Sequence, residues 1–374
     1  MSNRSNKLKK NKILLILILG ITVPVFNSLV GIYVYDMSCP AEYSITLEMP
    51  LHEAAGPGIV IGAAVHTWGI QTDPQYKTLL DTHFNSITPE NEMKMGLLRP
   101  NLTGFYWDKA DYLVDYAENH SMAVHGHTLL WHHQTPSWLN EFAANESNGK
   151  EEWRAMLKNH VQTVAGRYAG RVHAWDVVNE VVDMGSDGIN GYRNTIWYQK
   201  IGPGYINDTF SWTREVDPAA KLYINDYDLC SDLNKLYFTL QLVTQLKAQG
   251  TPIDGIGFQS HDPPSVEKIK QAVVMVNQYN LDVWITELDI PTENHPIYMK
   301  QMAKIQADRY AGVTEAFSGL ERLVGITTWG IYDGSSWLHR PSQGEYAWPL
   351  LFDESYAPKP CAESFANALV RYVS

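Results

Sequence analysis

From about residue 59 onward, the sequence repeats one pattern eight times. In each repeat a short run of β-branched and apolar residues ends in polar or aromatic residues, and a longer stretch with helical periodicity follows. The predicted strands are residues 59–65, 84–88, 123–127, 172–178, 221–225, 254–259, 282–286 and 323–328. The clearest helical patterns are residues 107–119, 151–168, 233–249, 266–278 and 296–317.

Strands and helices that alternate in this order build a parallel sheet, and eight right-handed crossovers close such a sheet. We therefore predict an α/β fold, a (β/α)8 TIM barrel, that forms one domain over residues 59–374. Barrels of this kind carry their functional side chains at the carboxyl ends of the strands. The residues that follow each predicted strand should therefore determine what the protein does.

Composition and charge limit the partners of the chain. Apolar residues make up 45% of the 374 residues, which is typical of a folded domain with a large core. The formal net charge is -12, whereas a partner held through its phosphates needs a basic surface, so we expect no nucleic acid. The three cysteines, Cys39, Cys230 and Cys361, are too few for a disulfide-stapled scaffold, and we expect no bridge between the last two.

We predict that residues 1–35 form a targeting segment, either a signal peptide or a signal anchor. Residues 13–34 carry no charge and follow a basic stretch that contains Arg4, Lys7, Lys9, Lys10 and Lys12. The uncharged run is long for a cleavable signal and no Ala-x-Ala site follows it, which favours an uncleaved membrane anchor with its basic end inside the cell. Pro24 and Asn27 interrupt the run, so cleavage there stays an alternative. In both cases we expect an extracellular barrel, secreted or membrane-anchored, after a connector at residues 36–58. Glycosylation triplets lie at Asn101, Asn145 and Asn207.

Tryptophan, histidine, amide and glutamate side chains crowd the ends of the predicted strands. The segments concerned are residues 88–94, 126–134, 175–180, 225–227, 259–261, 286–289 and 329–333, with Trp337 just beyond. In a closed barrel these segments meet on one face, where ordinary loops would not be so rich in these residue types. The sequence therefore predicts a functional cleft on that face.

Two glutamates in these segments fit the hydrolysis of a glycosidic bond. Glu180 ends the fourth strand and Glu287 ends the seventh, so the two side chains can face each other across the barrel. In glycoside hydrolysis one carboxylic acid protonates the departing oxygen, and a second carboxylate attacks the anomeric carbon or activates water. A separation of about 5 to 5.5 Å implies retention of configuration, and a wider one implies inversion. We expect Asn179 to bind the sugar 2-hydroxyl, and His261 with Asp289 to orient Glu287 and keep it ionised.

Together the seven segments resemble glycoside hydrolase family 10, the endo-β-1,4-xylanases, from about residue 59 to the C-terminus. The resemblance implies that Glu180, in Trp-Asp-Val-Val-Asn-Glu, is the general acid/base. It also implies that Glu287, in Ile-Thr-Glu-Leu-Asp, is the nucleophile. The expected activity is endo-acting, retaining hydrolysis of β-1,4-xylosidic bonds in xylan, by a monomer that needs no metal or other cofactor.

The same resemblance assigns substrate contacts to the other segments. It places three residues on the non-reducing-side sugars: Glu90, Asn91 and Lys94. It places three more around the cleaved sugar: His127, Trp131 and Gln134. Beside the nucleophile it places Gln259 and His261, and as an aromatic platform Trp329 and Trp337. It assigns Asn225 and Tyr227 to the aglycone side, where the leaving part of the chain binds.

Three other functions remain open. Histidines near the end of the third strand suggest a metal-dependent barrel hydrolase: His125, His127, His132 and His133. A barrel that binds sugars without cutting them is a second possibility, although a pure binding protein has no use for an acid paired with a nucleophile. A third keeps the mechanism and changes the substrate to cellulose or mixed-linkage glucan.

Overall fold

Eight parallel strands pair in chain order and close into a barrel, because the first strand also pairs with the eighth. The strands are β1 (Val60–Val65), β2 (Ser86–Pro89), β3 (Ala123–Gly126), β4 (Ala174–Asn179), β5 (Lys221–Asp226), β6 (Gly255–His261), β7 (Asp282–Asp289) and β8 (Leu323–Thr328). Each predicted strand agrees with an observed strand to within about three residues at either end. The predicted (β/α)8 barrel is therefore confirmed.

Helices follow the strands and surround the barrel. Within residues 40–373 they are α1 (Leu51–Ala54), α2 (Thr67–Thr72), α3 (Pro74–His83), α4 (Met95–Leu98), α5 (Asp108–Asn119), α6 (Trp138–Ala144), α7 (Lys150–Arg167), α8 (Ile196–Ile201), α9 (Tyr205–Val216), α10 (Leu233–Ala248), α11 (Val266–Val276), α12 (Lys300–Phe317) and α13 (Pro360–Val373). The five predicted helical patterns correspond to α5, α7, α10, α11 and α12. Most of the helices without a predicted pattern are short, so few turns display their periodicity.

The computed structural model describes residues 40–373. The predicted signal or anchor segment at residues 1–35 and Cys39 lie outside this range. In the part of the chain that is described, no helix is both long enough and apolar enough to cross a membrane.

The helix α1 lies within residues 36–58, the segment predicted to be a connector. Its residues Leu51 and Ala54 are buried in the main hydrophobic core, as is the following Ala55. The barrel domain therefore begins before residue 59, and the sequence did not indicate this because one helical turn is too short to show a period.

Large and small side chains alternate inside the barrel near the amino ends of its strands. The Trp284 indole fills this space with the Tyr223 ring, and its Nε1 donates a hydrogen bond to Thr327 Oγ1 at 2.9 Å. A Cβ on Gly325 would lie 2.4 Å from Trp284, and one on Gly255 would lie 2.5 Å from Tyr223. The two glycines thus make room for the aromatic rings that plug the barrel below the cleft.

The strands β4 and β7 each contain one extra residue relative to a neighbouring strand. In β7 the extra residue is Thr286, and in β4 it is Val177. Side chains of a regular strand alternate between its two faces, yet Thr286 and Glu287 both bond the inward-facing amide of Asn225. The irregularity in β7 therefore turns Glu287 into the barrel beside its neighbour.

Cys230 and Cys361 are free thiols and both are buried. No bridge was expected, because the two follow the fifth and eighth strands, which are well separated around the barrel. Burial raises the pKa of each thiol to about 12. Both side chains therefore stay protonated near neutral pH and pack as small apolar groups.

We predict that Gly325→Ala destabilises the fold by about 3 kcal/mol, because the added methyl group overlaps the Trp284 ring in a filled interior. Gly204→Ala is the matched control, since no atom lies within 4 Å of a Cβ there, and its effect should stay within about 0.5 kcal/mol. Denaturant unfolding of the two variants measures both values. Equal stability of Gly325→Ala and the parent chain would contradict the packing described for this layer.

Candidate active site

A cleft of about 510 Å³ opens at the carboxyl ends of the strands. Fourteen of the predicted site residues line it: Glu90, Asn91, Lys94, His127, Trp131, Gln134, Asn179, Glu180, Tyr227, Gln259, His261, Glu287, Trp329 and Trp337. Two residues that the sequence did not single out for this cleft also line it: His133 and Asp228. Asn225 and Asp289 lie beneath the lining and are fully buried.

The backbone of Glu180 is held in a conformation that is unusual for this residue type. Its φ angle is +57°, which costs about 1 kcal/mol for a residue with a Cβ. The backbone N–H of Glu180 donates to the Asn225 carbonyl at 2.8 Å, and its carbonyl accepts from Arg193 Nε at 2.7 Å. These bonds from two other segments compensate for the strain and fix where the carboxyl group leaves the strand.

Glu287 lies at the end of a chain of hydrogen bonds that starts at Asp289. Trp337 Nε1 and His261 Nδ1 both donate to Asp289 Oδ2, at 3.0 and 2.8 Å. The other ring nitrogen of His261 lies 3.1 Å from Glu287 Oε2. The expected contacts among His261, Asp289 and Glu287 are therefore present.

This chain of contacts sets the charges of its members. Burial alone would lower the pKa of His261, but the attraction of Asp289 and the hydrogen bonds to both carboxylates raise it to about 10. Burial alone would raise the pKa of Glu287, but the hydrogen bond from His261 and the nearby His127 ring hold it below its usual value. Near neutral pH, His261 is thus a cation and Glu287 an anion.

Three amide side chains connect the two glutamates. Asn225 Nδ2 donates to Glu287 Oε1 at 2.8 Å and to Asn179 Oδ1 at 2.9 Å. Gln259 Nε2 donates to the same Asn179 oxygen at 3.0 Å and to Glu180 Oε1 at 3.3 Å. Because Asn179 Oδ1 accepts two bonds, its Nδ2 is the donor end, and it lies 3.5 Å from Glu180 Oε1.

Asn225 corrects one sequence prediction. The resemblance placed it on the aglycone wall, but its side chain is fully buried, and the amide is occupied by Asn179, Glu287 and Thr286. Asn225 and Tyr227 are two residues apart and share the inner face, but Asn225 lies within β5 and Tyr227 lies beyond its end, where the cleft opens. Asn225 therefore orients other groups and does not contact substrate.

Asp176 is a buried site residue that the sequence analysis missed. It accepts hydrogen bonds from His125 Nε2 and His127 Nδ1, each at 2.8 Å. Burial would raise the pKa of Asp176, but the two rings lower it to about 2, so this carboxylate stays charged. The spacing of His125 and His127 on one strand, which suggested a metal site, thus serves to bind this carboxylate, and it orients His127 in the cleft.

Lys94 lies among carboxylates and indoles on the glycone side, where the non-reducing sugars are expected. Its Nζ donates to Asn91 Oδ1 at 3.2 Å and lies 5.0 Å from the centre of the Trp131 ring. Gln134 Nε2 donates to the same Asn91 oxygen at 3.0 Å. Burial lowers the pKa of Lys94 although several carboxylates attract its charge. The wall thus presents fixed donors against a flat aromatic surface, an arrangement that suits a sugar ring with hydroxyls at its rim.

Arg193 links Glu180 to the opposite wall of the cleft and was also missed. Besides binding the Glu180 carbonyl, its guanidinium donates to the Tyr227 hydroxyl at 2.6 Å. The Lys235 ammonium lies 3.5 Å from the centre of the Tyr227 ring and 2.6 Å from the carboxylate of Asp226. No sequence signal connects these residues, because Arg193 follows an irregular loop with no period.

His132 and His133 lie beside Glu180. The centroids of their rings are 4.0 Å apart, and His132 Nε2 is 4.0 Å from Glu180 Oε2. Burial and the neighbouring His133 and Arg193 lower the pKa of His132 to about 3, so this ring is neutral at the cleft. A neutral ring adds no fixed charge next to Glu180.

Comparison with known proteins identifies the family. The family model described as "Glycosyl hydrolase family 10" matches residues 51–368. The chain belongs to glycosyl hydrolase family 10. It is therefore a glycoside hydrolase. The region that matches the family model contains every residue that lines the cleft.

Curated relatives and solved structures agree with this placement. The chain is 39% identical over 314 residues to Endo-1,4-beta-xylanase A of Caldicellulosiruptor sp. (strain Rt8B.4), a match that covers 80% of this chain but only 44% of that relative. It is 36% identical over 313 residues to Endo-1,4-beta-xylanase B of Paenibacillus barcinonensis, covering 80% of this chain and 92% of that protein. Its fold resembles xylanase 10B from Thermotoga petrophila RKU-1 in complex with xylobiose, with a TM-score of 0.79 and 33% identity over 88% of this chain and 100% of that chain.

We predict that His261→Asn moves the acidic limb of the pH profile of kcat/KM upward by about 1 pH unit or more. Without the imidazolium, burial is no longer opposed and the pKa of Glu287 rises, so activity is lost at a higher pH on acidification. The control is His295→Asn, a loop histidine outside the cleft, which should leave the profile unchanged. An unshifted acidic limb in His261→Asn would contradict the electrostatic role of His261.

Proposed function

We propose that this chain hydrolyses internal β-1,4-xylosidic bonds of xylan with retention of configuration, using Glu180 as acid/base and Glu287 as nucleophile. One observation carries the proposal: the buried amides of Asn225, Asn179 and Gln259 hold two glutamates on one cleft, and His261 keeps one of them ionised. A retaining glycosidase needs two such carboxylates in different roles.

In the first step, the ionised Glu287 attacks the anomeric carbon of the bound sugar. Glu180 donates its proton to the glycosidic oxygen as the bond to the leaving chain breaks. The product of this step is a covalent ester between Glu287 and the sugar, with the leaving chain released from the Tyr227 side. Asn179 Nδ2, held as a donor, is suited to bind the 2-hydroxyl as positive charge develops at the ring.

In the second step, Glu180 acts as a base. It removes a proton from a water molecule, whose oxygen attacks the anomeric carbon and displaces Glu287. The two inversions at this carbon together give retention. Glu287 leaves as a carboxylate, and the His261 cation and the Asn225 amide stabilise the charge that returns to it.

Xylan is favoured over cellulose by the relatives. The named relatives are endo-xylanases, and the solved relative from Thermotoga petrophila was crystallised with xylobiose. Xylose and glucose differ by one hydroxymethyl group, so the space that the cleft leaves beside the bound ring decides between the two substrates. Product analysis on arabinoxylan, glucuronoxylan and carboxymethyl-cellulose tests the choice, and cleavage of the cellulose derivative alone would contradict it.

We also propose that the catalytic domain works outside the cell as a monomer. The basic stretch before residues 13–34 and the uncharged run itself support export, with membrane attachment through this run or release by cleavage. Cell fractionation and size-exclusion chromatography test the two parts separately.

We predict that Glu180→Ala slows the hydrolysis of xylan by about 10² to 10⁴-fold, because the departing sugar oxygen needs a proton. A dinitrophenyl xylobioside should lose far less in bond cleavage, since its leaving group departs without protonation. The exposed Glu146→Ala serves as a control and should act like the parent chain on both substrates. The measurement is kcat/KM on both substrates, which reports the first step alone, and equal losses in Glu180→Ala would contradict the acid role.

We predict that Glu287→Gln loses more than about 10⁴-fold of activity on every substrate, including aryl glycosides, because no carboxylate remains to form the ester. Glu293→Gln, an exposed change in the loop after the same strand, should keep normal rates. Initial rates and a thermal melt of both variants are the measurement. Folded Glu287→Gln with rates near those of the parent chain would rule out the nucleophile assignment.

A further inference from the structure

Trp68 is the most exposed tryptophan in the part of the chain that the structure describes. Within residues 40–373 two tryptophans have more than a third of their surface exposed, Trp337 at 45% in the cleft and Trp68 at 66%. Trp68 follows the carboxyl end of β1, so it lies on the same barrel face as the cleft. An indole left in water at this face is costly unless a ligand covers it.

The segment that carries Trp68 is fastened to the wall of the cleft. The backbone N–H and the hydroxyl of Thr67 both donate to Glu92 Oε1, at 2.7 and 3.0 Å. The Glu90 N–H donates to the Val65 carbonyl at 2.9 Å. Hydrogen bonds therefore hold the loop with Glu90 and Asn91 directly against the segment with Trp68.

The Trp68 ring has a rigid backing. It stacks on the His66 ring, with centroids 6.1 Å apart and planes 24° apart. His66 Nδ1 accepts from the Gly69 N–H at 2.9 Å, and the His66 ring packs 5.1 Å from the buried Tyr76 ring.

We propose that Trp68 forms a distal glycone subsite, where it stacks on a xylose ring of the bound xylan beyond the sugars held by Glu90 and Asn91. This inference rests on the proposed function and extends its site. A pyranose ring without a hydroxymethyl group presents a flat face of C–H bonds, which an indole covers well. The site lengthens the cleft on the non-reducing side.

The surroundings of Trp68 favour a sugar over a protein partner. The exposed residues that follow it on α2 and α3 are mostly polar, namely Gln71, Thr72 and Gln75, with Pro74 as the exception. A protein interface needs a larger apolar centre than one ring, whereas a single ring bordered by amides and hydroxyls can stack on a sugar and bond its rim. The Trp68 segment is bonded to the cleft wall at Glu90, so a polysaccharide chain that leaves the cleft past Glu90 runs toward the Trp68 ring.

The test compares Trp68→Ala with Tyr237→Ala, which removes an exposed ring on α10 outside the cleft. For Trp68→Ala, kcat/KM on xylohexaose should fall by about tenfold. On an aryl β-xylobioside, which is too short to reach the subsite, it should change by less than about twofold. Tyr237→Ala should match the parent chain on both substrates, and Trp68→Phe should regain most of the loss.

Two results would overturn the subsite. One is an unchanged kcat/KM of Trp68→Ala on xylohexaose, which would arise if Trp68 meets a protein or a membrane instead. The other is an equal loss on both substrates in a variant whose melting temperature is normal. Failure of the proposed function looks different, because then the parent chain itself would not cut xylohexaose.

Discussion

The arrangement of the cleft depends on one buried amide, that of Asn225. Its NH2 group bonds Glu287 and Asn179 at once, and its oxygen accepts from Thr286, so the amide cannot turn over without losing three bonds. Through Asn179 and Gln259 the same network reaches Glu180. Two carboxylates that are far apart in the chain are thereby held against a common scaffold below the substrate.

Fixed charge then separates the roles of the two glutamates. Glu287 receives a hydrogen bond from a histidine that is itself paired with the buried Asp289, whereas Glu180 lies beside the neutral His132. The His261 cation holds Glu287 as an anion, as the nucleophile of the proposed mechanism requires, while the neutral His132 ring adds no charge beside Glu180. The difference comes from the residues behind the carboxylates.

Much of this could be predicted from the sequence because strand periodicity and strand-end residues are local signals. All eight strands were found in this way, whereas most of the fourteen cleft residues were assigned by the resemblance of the strand-end segments to family 10. The extra residue Thr286 in β7 could not be predicted, because it depends on the register with the neighbouring strands. The hydrogen bonds from His127 to Asp176 and from Arg193 to Tyr227 could not be predicted either, since they join segments far apart in the sequence.

The most direct test of this account is to trap the covalent intermediate with a 2-deoxy-2-fluoro-β-xylobioside that carries a dinitrophenolate leaving group. Fluorine at C2 slows both the formation and the hydrolysis of the ester, but the good leaving group keeps formation fast, so the ester accumulates. We expect the mass of the intact protein to increase by one fluoroxylobiosyl group, and peptide mapping to find that group on Glu287. A label on any other residue, or inactivation without a covalent label, would contradict the central claim.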